Sequence, residues 1–541
     1  MWTPRPDPHR AAAYRAAGYW RDESIAQAIA SRCDATPDAK AILDPRGRDL
    51  TYAELWAASA AVAGHLQAEG VRARDIVTVC LPNWWEFGVA AVAALRLGAV
   101  VNPVPPSYGR ADLAHIVGTC QSAGVVFAGR FRSLDASAYM ANLAAGLSRT
   151  PALLRVGDGG EDVGVPFEAA LRHAPCVHDD PGAGDAPAAV LFTSGTEAKP
   201  KGAVHTHNTI LFGERAFAFA LAIGPADIGF MASPLGHTTG FLHGLIMTLT
   251  TGGAVSLLDV FQGAAAVAQM RAHRCTWTMG ATPFLADSVD TLEAEGGHLP
   301  DLRYFLSGGA PIPETVVRRA AAVGLRALPV YGSTESPPHT LARPDGALEL
   351  AWQTDGAALP GVETRIVTPE GYAAAIGEPG EEWSRGPNTF LGYLDDPELS
   401  RRALDADGWV HSGDLARRTP DGSIRIVGRL KEIIVRGGQN ISVREVEDYL
   451  ASHPAVRQVA VVGVPHDRLG ETACAVVSLR PEAELTLREI VAFLEAKGVA
   501  KFKSPEALHI WPDLPTTPSG KIQKFVIRQR LAAVDAAPVI P

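Results

Sequence analysis

Two periodicities alternate along the early chain. Residues 53–69 and 87–97 carry apolar side chains at helical spacing, and each is followed within a few residues by a short β-branched run, 76–81 and 100–104 among them. Gly98 and the pair Pro105-Pro106 punctuate these units. Further apolar runs at 124–128, 188–192, 228–232, 254–258, 275–279 and 304–307 continue the alternation, which predicts α/β layers around largely parallel sheets. After Ala351 the texture changes to shorter strands between Gly/Pro turns, as in 362–367 and 380–383, and this predicts a β-rich subdomain that 424–427 closes. A compact unit follows: helix 445–452, strand 456–464, strand 473–478 and helix 487–497. The expected organisation is a large N-terminal domain, 1–430, and a small α+β C-terminal domain, 431–541, with the boundary at Lys431. The Gly/Asp-rich stretch 157–186 reads as a surface loop.

A chain of 541 residues exceeds what one core organises, which agrees with two domains. Net charge is −10 with no long basic run, so nucleic acid and anionic membrane are not expected partners. The apolar stretch 88–104 is broken by Arg96 and closed by prolines, and reads as a buried element rather than a membrane span. Six scattered cysteines without a CxxC pair fit reduced thiols and exclude a structural zinc site of the usual spacing. Met1-Trp-Thr-Pro-Arg lacks the apolar core of a signal peptide, and the terminal Val-Ile-Pro is not a peroxisomal address. These features predict a cytoplasmic protein.

The chemistry begins in Phe192-Thr-Ser-Gly-Thr-Glu-Ala-Lys-Pro-Lys-Gly202, a loop of hydroxyls, glycines and lysines directly after an apolar strand. Thr193, Ser194 and Thr196 can donate hydroxyl hydrogen bonds, Gly195 permits close backbone approach, and Lys199 and Lys201 bring charge. Such a loop suits a polyphosphate, although Ser/Thr/Gly/Lys loops are also common solvated turns. It is not a Walker A, because Gly202 is followed by Ala203 where Lys-Ser/Thr is required.

Four more stretches follow in order: Tyr331-Gly-Ser-Thr-Glu335, Gly408-Trp-Val-His-Ser-Gly-Asp414, Gly428-Arg-Leu-Lys-Glu-Ile-Ile-Val-Arg-Gly-Gly-Gln-Asn440 and Pro515-Thr-Thr-Pro-Ser-Gly-Lys521. Together with the loop they resemble the adenylate-forming superfamily of acyl-CoA synthetases, adenylation domains and luciferases, from about Leu50 to Lys521. The resemblance implies an enzyme using ATP, Mg²⁺ and CoA, with a C-terminal domain that swings about Lys431. It implies that Thr193–Gly202 holds the β- and γ-phosphates, and that Glu335, with Thr196, binds Mg²⁺. Thr334 would bond the α-phosphate beside Gly332 and Ser333. Tyr331 would stack on adenine, which Ser307, Gly308, Gly309, Ala310 and Pro311 pass along its edge, and Asp414 would take the ribose hydroxyls with Arg429 assisting. Taken alone, Tyr331 would be a core aromatic and Asp414 a turn former. Lys521 is the expected catalytic cation bridging carboxylate and α-phosphate, and Arg436, Gly437 and Gly438 flank the expected pantetheine path.

Two departures from the family pattern matter, and the second bears on substrate. Ala198 stands where the loop motif more often has Gly or Ser. In Pro234-Leu-Gly-His-Thr-Thr-Gly-Phe241, His237 fits the family histidine beside the acyl carboxylate, with Gly240, Phe241, Gly308 and Gly332 as expected pocket neighbours. Aryl-acid ligases of siderophore pathways carry Asn after that position, and here Thr238 follows, although Gly18-Tyr-Trp does resemble those ligases. The pocket segment most resembles ligases of the cyclohexanecarboxylate type. Glycines at 236, 240 and 244 suggest a roomy site for an alicyclic, bulky or medium-sized acid. The rival readings are a stand-alone acid–AMP ligase that loads an aryl or other acid onto a carrier protein, and a non-catalytic binder that kept the fold. Family habit adds a possible homodimer.

Overall fold

The computed structural model describes residues 4–132, 134–135, 137–159, 163–176, 184–193, 200–437, 439–466, 468–517 and 520–535. The N-terminal part is built on two large mixed sheets. The nine-stranded sheet runs, edge to edge, through Ala357–Ala358, Thr340–Leu341, Ala327–Tyr331, Tyr304–Gly308, Trp277–Gly280, Ile228–Met231, Ala254–Leu257, Lys40–Leu43 and Leu50–Thr51. From Ala327–Tyr331 to Lys40–Leu43 the neighbours are parallel, so the carboxyl ends of those strands open on one edge. The eight-stranded sheet is parallel through its middle, continues into the antiparallel pair Pro187–Thr193 and Lys201–Thr206, with Thr193 opposite Lys201, and ends at the short antiparallel edge strand Gly392–Tyr393. Both sheets feed one large apolar core.

Local sequence explains the elements that carry the site. Five consecutive buried residues, Ala188 to Phe192, make the strand before the phosphate-type loop a buried one. Thr206 caps helix His207–Leu221, accepting from the backbone N–H of Thr209. Helix Trp85–Arg96 is buried at every position, which accounts for the apolar stretch around it. Its Arg96 is satisfied by the Trp56 carbonyl at 2.7 Å and lies 3.7 Å above the Trp56 ring. Among the described residues no helix is long and apolar enough to cross a membrane.

One expectation is corrected. Within 157–186, strand Val165–Pro166 extends the eight-stranded sheet and helix Phe167–Ala170 buries Phe167 and Ala170 completely. Phe167 meets the Trp85 ring at 5.8 Å, so a core anchor sits inside a stretch whose Gly/Asp content suggested only surface.

A four-stranded antiparallel sheet follows, Glu363–Val367, Pro379–Arg385, Val410–Arg418 and Ile424–Arg429. The expected boundary at Lys431 falls in the three-residue 3-10 turn Leu430–Glu432, between this sheet and the last one. The final unit is a five-stranded sheet in which Val456–His466 and Gly470–Leu479 form the long central hairpin, covered by helices Val443–Ala451 and Leu487–Ala496. The half-buried Lys524 lies between Glu432 at 2.8 Å and Glu447 at 3.0 Å, which ties the last helix to the turn.

The two parts are latched by charge. Asp355 accepts from the Ile426 N–H at 2.8 Å and pairs with Arg425 at 3.4 Å and with Arg444, across the boundary, at 3.7 Å. Arg425 also reaches Asp448 at 3.5 Å, and Ser442 donates to the Val427 carbonyl at 2.6 Å. Asp355→Ala strands the buried Ile426 N–H and takes one carboxylate from Arg425 and Arg444, a loss of about 1–3 kcal/mol by the usual cost of unsatisfied buried polar groups. Thermal melting should show a lower Tm, and an unchanged melt would mean that solvent replaces these contacts freely.

Candidate active site

The parallel strands deliver the candidate residues to their carboxyl ends, where α/β sheets present ligands. Tyr331 ends one strand, Ser307 and Gly308 end its neighbour, and Ala281 follows a third. The four-stranded sheet meets them there. Tyr331 donates its hydroxyl to Asp414 Oδ2 at 2.7 Å, while Arg429 Nε donates to Asp414 Oδ1 at 2.7 Å. Asp414 and Arg429 are cross-strand partners, so sheet register itself creates this ion pair. Burial, then the Asp414 and Glu382 carboxylates, pushes the Tyr331 hydroxyl well above the usual phenol range and keeps it a donor.

Lys521 arrives at this cluster from the far end of the chain. A methyl group placed on Gly309 would fall 2.4 Å from Lys521 Cε and 3.1 Å from its Nζ, so the lysine stem lies directly over that glycine. At φ +85° Gly309 also holds a backbone that other residues rarely adopt. The incoming loop is braced by hydrogen bonds from Thr517 N–H to the Lys521 carbonyl at 2.7 Å and from Lys521 N–H to Thr517 Oγ1 at 3.1 Å. Gly520 packs near Ala281, where an added methyl would stand 3.1 Å from the Ala281 Cβ. Lys521 is an exposed residue overall, but its stem and amine lie against Gly309. Desolvation and the nearby Arg429 lower its pKa from the ordinary lysine value, against the opposing pull of Asp414 and Glu335.

His237, the expected neighbour of the acyl carboxylate, directly precedes Thr238 and the π-helix Thr239–Ile246. Burial, together with the Lys521 and His243 charges, takes it down to about 3, so the ring is neutral across the working pH range and offers hydrogen bonds without charge. Thr238 Oγ1 lies 3.4 Å from Thr334 Oγ1, and His205 Nε2 lies 2.7 Å from the Thr334 carbonyl. Burial lowers His205 to about 4, and the neutral ring donates to that carbonyl, fixing the backbone of Thr334.

Glu335 accepts from the Tyr393 hydroxyl at 2.6 Å, and Lys201 Nζ lies 5.8 Å from the Tyr393 ring. The stem of the phosphate-type loop and the candidate metal carboxylate thus converge on one aromatic ring. Ser194, Gly195, Thr196 and Lys199 lie outside the described residues, as does Gly438. Among the described residues no cluster of three metal-ligating side chains occurs. A single carboxylate at Glu335 still fits Mg²⁺, which takes one or two protein carboxylates and completes its shell with phosphate and water.

Some expectations are not met. The glycines at 236, 240 and 244 mark close packing rather than open space. A methyl on Gly236 would meet the Pro105 nitrogen at 2.2 Å, one on Gly240 the Pro234 carbonyl oxygen at 2.2 Å, and one on Gly244 the Met231 Cγ at 2.7 Å. Phe241 turns its ring into the core, 6.4 Å from Phe87 and fully buried. Gly308 and Gly332 are likewise tight, at 3.0 Å from the Val330 carbonyl and 3.2 Å from the Pro338 Cα, with Gly332 exposed on its other side. The placement of Arg436, Gly437 and Lys431 agrees with what was expected of a loop that enters only after rotation and of a hinge: Arg436 pairs with Glu506 and Gly437 donates to the Leu469 carbonyl, apart from the Asp414–Lys521 cluster, while Lys431 sits exposed in the 3-10 turn between the units.

Sequence reasoning also missed Tyr393, His205 and the π-helix Thr239–Ile246 that follows His237. Tyr393 is buried in one apolar cluster with Phe390, but at three residues' spacing the two share no strand alternation, so neither it nor the π-helix carried a signal in the sequence. Gly240→Ala should cost about 1–3 kcal/mol as an overpacking substitution, read as a lower Tm with no change in acid preference. A changed acid preference at unaltered Tm would return Gly240 to the pocket wall.

The AMP-binding enzyme family matches residues 29–394, and its C-terminal domain matches residues 445–521. The chain is 42% identical over 532 residues to the medium-chain fatty-acid–CoA ligase of Escherichia coli (strain K12), covering 96% of this chain and 92% of that protein. It is 33% identical to the salicyl-AMP ligase / salicyl-S-ArCP synthetase of Mycobacterium tuberculosis (strain ATCC 25618 / H37Rv), covering 96% of this chain and 93% of that one. The crystal structure of ATP-bound MatB from Rhodopseudomonas palustris superimposes with a TM-score of 0.84 at 29% identity, over 94% of this chain and 99% of that chain. The chain therefore belongs to the AMP-binding enzyme family and is an enzyme of the acid–thiol ligase type.

Proposed function

We propose that the protein activates a carboxylic acid with ATP and transfers it to CoA. In the first step a carboxylate oxygen attacks the α-phosphorus, forming acyl-AMP and expelling pyrophosphate. In the second the CoA thiol, losing its proton, attacks the acyl carbon and releases AMP. The observation that carries this reading is the Lys521 amine lying over Gly309, close enough to Asp414, Arg429 and Glu335 for their charges to shift it.

Two anions must be brought together in the first step, so charge neutralisation and alignment are the main tasks. On this reading Lys521 bridges the carboxylate and the α-phosphate, Thr334 donates to the α-phosphate, and neutral His237 orients the acid. Tyr331 and Asp414 hold the nucleoside, with Arg429 fixing the direction of the carboxylate. Thr193 and Lys201 flank the β- and γ-phosphates. Glu335 would hold Mg²⁺, which when bound would supply charge neutralisation at the phosphates. The unit from Lys431 onward then turns to bring Arg436 and Gly437 toward the pantetheine arm, which gives their present distance from the nucleotide cluster a purpose.

For the acid, the medium-chain fatty-acid relative at 42% identity supports a medium-sized apolar chain, and Thr238 in place of Asn speaks against a ring hydroxyl reader. An alicyclic acid of the cyclohexanecarboxylate kind stays within this class. The salicyl-AMP relative at 33% identity favours one second reading, transfer of the acyl group to a carrier protein.

Incubation with ATP, Mg²⁺, CoA and a panel of medium-chain, alicyclic, aryl and polycyclic acids, followed by mass spectrometry, should yield an acyl-CoA. Acyl-AMP without acyl-CoA would move the acceptor to a carrier protein. Lys521→Ala should slow acyl-adenylate formation by ~10²–10³, the usual scale for one charge-stabilising contact, while sparing thioester formation from preformed acyl-AMP. Equal loss of both half-reactions would reject the assigned role.

A further inference from the structure

Glu382 occupies a position that the alternation of its strand assigns to the inner face. In Pro379–Arg385 the buried positions are Gly380, Glu382 and Ser384, and the residue opposite Glu382 across the ladder is the apolar Ile366. Glu382 is 0% exposed, and among the described residues neither of its carboxylate oxygens has a hydrogen-bond partner. Its ion-pair partner is His339, whose Nε2 lies 3.4 Å from Glu382 Oε1. A well-packed apolar pair in the same place would commonly be at least as stable. What the charges add is therefore better sought in geometry than in stability.

His339 is equally enclosed, and its Nδ1 lies 2.8 Å from the Ser336 carbonyl oxygen. One ring nitrogen faces a carbonyl and the other a carboxylate, both pure acceptors, an arrangement suited to the doubly protonated imidazolium. Burial, the largest single influence, works against that charge, but the Glu382 carboxylate, the Ser336 carbonyl and Asp414 together leave the His339 pKa above its ordinary value. The imidazole meets the Tyr331 ring at 4.8 Å and 84°, an edge contact. Tyr331 in turn donates to Asp414, which Arg429 holds from the other side. A second link runs through the backbone. The Glu382 carbonyl accepts from Ser412 Oγ at 2.6 Å, and the same hydroxyl accepts from the Asp414 N–H at 3.0 Å, beside the bulge between Glu381 and Trp383.

We infer that the buried Glu382–His339 pair is a positioning element for the nucleotide clamp: held between Glu382 and the Ser336 carbonyl, His339 fixes the plane of Tyr331 and the direction of its hydroxyl, and through it the orientation of Asp414. Neither residue touches substrate; both act through Tyr331. The inference rests on the proposed role of Tyr331 and Asp414 in holding ATP.

The test compares wild type, Glu382→Gln, Glu382→Asp and the apolar double variant Glu382→Leu/His339→Phe, by direct ATP titration calorimetry, acid-dependent pyrophosphate exchange and thermal melting. Glu382→Gln should raise the Kd and KM for ATP about tenfold, with kcat and the KM for the acid within about threefold, a split that loss of ground-state nucleotide binding produces. Glu382→Asp should recover part of that loss. The double variant should melt at or above the wild-type Tm and still bind ATP weakly. ATP affinity within about twofold of wild type in the folded double variant overturns the inference and leaves the pair as core packing. Unfolding of both the Gln and the double variant overturns it too, making the pair a stability element. Wild type that binds no ATP removes the nucleotide reading itself, and the inference with it, before any substitution is compared.

Discussion

The carboxylate of Asp414 joins three parts of the molecule. One oxygen takes the hydroxyl of Tyr331, at the end of a strand in the nine-stranded sheet. The other takes Arg429, the last residue of the four-stranded sheet and the residue before the turn into the final unit. A displaced Asp414 would therefore alter the seating of one sheet on another and the direction in which the chain enters the C-terminal unit. The arrangement is affordable only because both oxygens are matched. A buried carboxylate with one partner removed would carry a large desolvation penalty.

Around that carboxylate the site is organised by alternating charge. Lys521 and Arg429 lie close enough to repel each other, and Asp414 and Glu335 offset that repulsion. The protein as a whole is acidic, with net charge −10, so this concentration of cations at one cleft is local rather than a property of the surface. His237 and His205 contribute none of it, because burial keeps both neutral.

How much of this was legible in the sequence depends on what each residue does. Loops whose chemistry dictates their composition were readable: Tyr331 with Glu335, Asp414, Arg429 and Lys521 were each named from a motif, and the structure gathers Tyr331, Asp414, Arg429 and Lys521. The large strands were readable because buried parallel strands are continuous apolar runs. Residues that support those motifs from other elements were not. Tyr393 and His205 acquire meaning only when separate strands bring them to Glu335 and Thr334. The glycines at 236, 240 and 244 misled, since a missing side chain signals equally an empty space or a neighbouring backbone that has filled it. Phe167 hid for the opposite reason, one core residue in a polar stretch.

The hairpin Pro187–Thr193 and Lys201–Thr206 belongs to the eight-stranded sheet, whereas Tyr331 ends a strand of the nine-stranded one. On the proposed function, a single nucleotide would hold its phosphates on the first sheet and its base on the second. ATP would then behave as a transient cross-link whose binding free energy appears as added cohesion between two halves of one core. By mass action that cohesion scales with the logarithm of ligand concentration over its dissociation constant. The resistance of this protein to unfolding would then follow the nucleotide concentration around it.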